Sequence, residues 1–69
     1  MWRIKKQYEN GAIIYSKKFQ DGFVVDILIA QMTNGNWNVE SSTNLFPERN
    51  FKTKYLALKY ARQQMKRNK

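Results

Sequence analysis

A chain of 69 residues has room for one domain, spanning 1–69, and buries only about 60% of its unfolded surface, so its core is thin. The absence of cysteine and histidine excludes a disulfide framework, a thiolate metal site and the commonest general base and metal ligand. Any stability beyond that core must come from a partner or from pairing into a homodimer.

The first residues, Met1-Trp2-Arg3-Ile4-Lys5-Lys6, lack the apolar stretch and small-residue cleavage site of a signal peptide. The most apolar run, Phe23 to Ala30, is broken by Asp26 and falls short of the roughly 18 apolar residues of a membrane span. An intracellular, cytoplasmic protein with no membrane partner is the expectation.

Three Asx-Gly pairs, Asn10-Gly11, Asp21-Gly22 and Asn34-Gly35, are strong hairpin signals, because both residue types tolerate the positive φ of primed turns. Between them lie β-rich runs: Trp2 to Tyr8, Ala12 to Phe19, Phe23 to Met32 and Asn36 to Ser42. The pattern predicts an α+β domain, an antiparallel β-meander of three to four strands over 1–42 followed by one amphipathic helix (β-β-β-β-α). Two-residue turns at Asn10-Gly11 and Asp21-Gly22 set Tyr8 against Ile13, Phe19 against Val24 and Lys17 against Asp26, the last a cross-strand ion pair. At the third hairpin a three-residue loop, Thr33-Asn34-Gly35, is preferred. It sets Val39 against Ile29 and leaves Gly35 in the left-handed position of a bulge.

This register gives the sheet two apolar faces. One carries Trp2, Ile4, Tyr8, Ile13, Tyr15, Phe19, Val24 and Leu28. The other carries Ile14, Phe23, Val25, Ile27, Ile29, Trp37 and Val39. One helix covers one face, and a slip of a single residue exchanges them. Residues 43–52, with Pro47, are expected to form a loop, and Thr53 to cap a helix over 53–67. At about 100° per residue, Leu56, Ala57, Tyr60, Ala61, Gln64 and Met65 form its packing stripe. Tyr55, Lys59, Arg62 and Lys66 form a basic ridge on the opposite side.

The net charge of +8 is unevenly placed. Up to Glu48, five basic residues balance five acidic ones; from Arg49 onward there are eight basic residues and no acid. Such asymmetry is the electrostatic footprint of a polyanion-binding surface. Catalysis is not expected: there is no Cys or His nucleophile–base pair, the five acids form no constellation, and the glycines show neither phosphate-loop nor dinucleotide spacing. No cofactor is expected either. The candidate nucleic-acid-binding residues are Arg49, Lys52, Lys54, Tyr55, Lys59, Arg62 and Lys66, with Trp37 as a stacking platform for bases on the uncovered sheet face.

The stretch Phe51-Lys52-Thr53-Lys54, followed by Ala57 and Ala61, resembles the helix start of the small arm-type DNA-binding domains of phage and transposon integrases. There a three-stranded sheet enters the DNA major groove and a helix backs it. The resemblance covers roughly Gly22 to Met65 and implies a free-standing DNA-binding relative. The chain departs from that pattern by an additional N-terminal strand, and no attached recombinase domain is expected. Four strands and a helix also look like the repeat of the Pur-type and Whirly single-strand binders, which implies dimerisation.

The expected function is thus a small, non-catalytic nucleic-acid-binding protein, DNA ahead of RNA. The competing expectation is a phage or mobile-element module that docks on an acidic surface of a host protein.

Overall fold

In the computed structural model, which describes residues 1–69, the three Asx-Gly pairs close three consecutive hairpins by one shared construction. Tyr8, Phe19 and Met32 donate backbone hydrogen bonds to the carbonyls of Ala12, Phe23 and Asn36, at 2.9, 2.7 and 2.7 Å. In each loop the Asx side chain accepts from the backbone N–H two residues on, at 3.0 Å: Asn10 from Ala12, Asp21 from Phe23, Asn34 from Asn36. Only the glycine takes a positive φ, and Asn44 is the sole non-glycine residue to do so. All three connections are therefore three-residue loops of the type that ends in a left-handed glycine bulge.

The expected Thr33-Asn34-Gly35 loop is found. The two-residue turns expected at Asn10-Gly11 and Asp21-Gly22 are not, because every primed two-residue turn needs positive φ at its first central residue, and neither Asn10 nor Asp21 adopts it. The extra residue shifts the pairing. Lys17 lies opposite Val25, Ser16 opposite Asp26 and Tyr15 opposite Ile27.

The strands β1 (Arg3–Gln7), β2 (Ile13–Lys18), β3 (Val24–Gln31), β4 (Trp37–Ser41) and β5 (Arg49–Phe51) form one antiparallel sheet in chain order, followed by the helix α1 (Lys54–Arg67). The α+β class and the meander-then-helix order are as expected. β5 is additional: it falls in the stretch expected as loop and pairs with β4, Phe51 opposite Trp37 and Arg49 opposite Val39. The β1–β2 register shifts between Ile4 and Lys6, so a bulge at Lys5 bends this edge strand.

The one-residue shift redistributes the faces, since side chains alternate strictly along a strand. Val25, Ile27, Ile29 and Val39 are buried under α1 together with Phe46, Ala57 and Ala61, and Trp2, Tyr15, Trp37, Leu45 and Phe51 pack around them. Burying each large aliphatic here stabilises the fold by about 1.5–3 kcal/mol. Tyr15, Trp2 and Trp37 thus share the helix-covered face, where the two-residue turns would have separated them. Ile14, Leu28 and Val24 lie on the open face.

Thr53 caps α1 as expected, its Oγ1 accepting from the Leu56 N–H at 3.2 Å. Ala57 and Ala61 are fully buried, and their small side chains let the helix axis approach the sheet. The packing stripe is rotated slightly from expectation: Leu58 reaches the core while Leu56 stays exposed. At the other end the Asn68 carbonyl accepts from Trp2 Nε1 and from Lys17 Nζ, each at 3.1 Å, tying both strands to the helix terminus. The expected Lys17–Asp26 pair is replaced by Lys5–Asp26, at 3.2 Å.

Candidate nucleic-acid interface

The helix places the ridge. Tyr55, Lys59, Arg62 and Lys66, at offsets of four, three and four residues, recur on the side of α1 away from the sheet, and all four are exposed. Together with Gln63 they line one shallow groove. From Tyr55 to Lys66 the ridge runs about 16 Å, given about 1.5 Å per helical residue. The helix contains no acid, and the chain's single ion pair lies on the sheet. The ridge cations are free to meet a polyanion.

Lys66 and Arg67 occupy the last turn, where the negative end of the helix dipole favours cations. Gln63 was not singled out from the sequence, although it lies four residues from Lys59 on the same helical wheel. Its amide is neutral and carries no charge signal; only the helical spacing places it on the ridge.

The remaining expected residues divide. Lys52 is exposed in the turn before the helix. Lys54 is partly buried, its ammonium 5.5 Å from the centre of the Trp37 ring. Arg49 projects from β5 over two aromatic rings, 5.7 Å from Phe51 and 5.4 Å from Tyr60. Such stacking is worth about 0.5–1 kcal/mol at exposed sites and orients both cations toward the packing between helix and sheet, away from the outer ridge. Tyr60 is fixed there by its hydroxyl, which donates to the Pro47 carbonyl at 2.7 Å, and by edge-on contact with Phe46.

Trp37 stands on the helix-covered face, half-buried against the core. It was expected as an aromatic platform on the uncovered face. The cause of the difference is the β2–β3 register, which brings Tyr15 and Trp2 onto the face of Ile27 and Ile29 and so makes that face the larger apolar surface for the helix to cover.

The open face carries charge of both signs. Its β1–β2 side presents Arg3, Lys5, Lys6 and Lys18; its far side presents Glu40 and Glu48, the latter accepting from Asn38 Nδ2 at 2.7 Å. Asp26 lies between them. Ser16, directly across the ladder, does most to hold its carboxyl below the ordinary value, and the Lys5 ammonium adds to this against the opposing effect of burial. Asp26 Oδ1 is buried without a geometrically complete hydrogen bond.

No helix is long and apolar enough to cross a membrane, and no three metal-ligating side chains cluster together. Set against known protein families, curated proteins and solved structures, the chain matches none of them.

Proposed function

We propose that this chain binds nucleic acid through its phosphates, without catalysis, and that the outer face of α1 is the contact surface. The observation that carries the reading is the exposed alignment of Tyr55, Lys59, Arg62 and Lys66 on a helix with no acid. Lysine and arginine so placed neutralise phosphates and release condensed counterions, which makes affinity fall as salt rises. Arg62 offers a planar fork for a bidentate phosphate contact, Tyr55 a hydroxyl donor and Gln63 an amide. These contacts position a backbone; base identity is not read by them. DNA is the first substrate to test.

Fluorescence anisotropy with a labelled DNA, at two salt concentrations, tests the reading. Three cationic contacts predict a log–log salt slope of about −2.7 on duplex DNA. The double substitution Lys59→Ala with Arg62→Ala is expected to weaken binding and flatten the slope by about 1.8. Binding that ignores salt, or a double variant that binds like the parent, rejects the proposal. Retention of one acidic protein after nuclease treatment, with no oligonucleotide binding at low salt, identifies the protein-docking alternative instead.

A further inference from the structure

The ridge does not end with the helix. Lys66 lines a second hollow with Trp2, Met65 and Lys69. Lys69 lines a third with Lys18, Phe19 and Asp21 at the β2–β3 loop. Lys18 in turn lines a fourth with Arg3, Ser16 and Val24 on the open face of the sheet. Each hollow shares a basic residue with the next, so Lys59, Arg62, Lys66, Lys69, Lys18 and Arg3 form one continuous basic belt.

The belt has a sharp bend. It starts on the outer side of α1, turns round the helix C-terminus and finishes on the side of the sheet that the helix leaves open. The bend is built by the Asn68 carbonyl, which holds Trp2 and Lys17 against the helix end. With Lys17 turned inward beneath α1, the alternation of β2 sends Lys18 to the opposite face. Asp21 is the one acidic side chain along this route.

We infer that the belt takes a single strand of nucleic acid, wrapped round the end of the molecule from the helix to the sheet. This rests on the phosphate-binding reading of the helix and adds the strandedness of the ligand. The molecule measures 38 × 23 × 17 Å, and a path that reverses direction over such dimensions is closed to a duplex with a persistence length of about 150 base pairs. A single strand bends freely at each nucleotide. Exposed Phe23 and Val24, beside the far end of the belt, offer apolar surface to unstacked bases.

The experiment compares oligodeoxythymidylates of about 4 and about 16 nucleotides with a duplex matching the longer one. The proteins are the parent chain, a Lys59→Ala/Arg62→Ala variant, an Arg3→Ala/Lys18→Ala variant, and Lys6→Ala as an off-belt control. All the substituted side chains are exposed, and circular dichroism checks that each variant is folded. The parent is expected to prefer the long single strand to the duplex. Arg3→Ala/Lys18→Ala should weaken long-strand binding several-fold, flatten its salt slope by about 1.4 and leave the short oligomer unaffected; Lys6→Ala should match the parent. Equal or tighter duplex binding, or an Arg3→Ala/Lys18→Ala variant that holds the long strand like the parent or no more weakly than Lys6→Ala does, overturns the inference. Unchanged binding by Lys59→Ala/Arg62→Ala instead overturns the helix reading itself.

Discussion

Lys17 and Asn68 meet where the buried Lys17 ammonium donates to the Asn68 backbone carbonyl at 3.1 Å. Only 8% of Lys17 remains exposed, and no carboxylate accompanies it. Its charge is balanced by the negative end of the α1 dipole and by the face of the Phe19 ring, 4.5 Å away.

Lys17→Met keeps the aliphatic stem and removes the charge and donor. It is expected to cost about 1–2 kcal/mol, measured as a lower urea midpoint at unchanged slope. An unchanged midpoint would show that the helix terminus gains nothing from the contact.

Gly11 and Gly35 both sit at φ near +90°, 92° and 90°, but their surroundings differ. An added Cβ at Gly35 meets nothing within 4 Å, whereas at Gly11 it meets Trp37 Cη2 at 3.2 Å and Lys54 Nζ at 3.5 Å. Gly35→Ala is expected to cost about 1–2 kcal/mol from backbone strain alone. Gly11→Ala should cost more, because the indole must also give way. Equal thermal midpoints for the two variants would contradict this.

Trp37→Ala should destabilise the chain by about 3 kcal/mol, the lower end for a tryptophan truncation because the ring is only half-buried. Nucleic-acid affinity per folded molecule should stay at the parent value, since the indole lies under the helix and off the ridge. A selective loss of affinity at full stability would instead make Trp37 a contact residue.

Asp26 gives a pH prediction with a definite sign. Its carboxyl is held below the ordinary 3.8 in the folded state, so the stability it adds is present above that value and is lost as pH falls through the lower, folded pKa. Lys5 is 57% exposed, which keeps that ion pair's share of the contribution under about 1 kcal/mol. Asp26→Asn should therefore lower the unfolding free energy slightly at neutral pH, and the difference should close on acidification below pH 3.8. A gap that persists or widens in acid would refute the assignment.

Much of this architecture was legible from local chemistry. Thr53 announces the helix start because its side chain serves the Leu56 N–H, and the offsets from Tyr55 to Lys66 place the ridge because a helix has one period. Thr33-Asn34-Gly35 was read in its observed form. The same construction at Glu9-Asn10-Gly11 and Gln20-Asp21-Gly22 was not, since an Asx-Gly pair suits two-residue and three-residue loops alike. β5 was missed because three residues beside Pro47 carry too little pattern, and they become a strand only against the free edge of β4.

The sequence by itself determined the class, the places where the chain reverses and the helix, which follow from local conformational preferences and periodicity, and the concentration of net charge after Glu48, which is fixed by composition alone. The tertiary structure alone decided which sheet face the helix covers, the diversion of Arg49 and Lys54 onto aromatic rings, and the junction of Lys18 and Arg3 with the helix end. Those outcomes depend on a one-residue register and on contacts spanning most of the chain, such as Trp2 with Asn68. Such contacts form only once the sheet and helix have packed together.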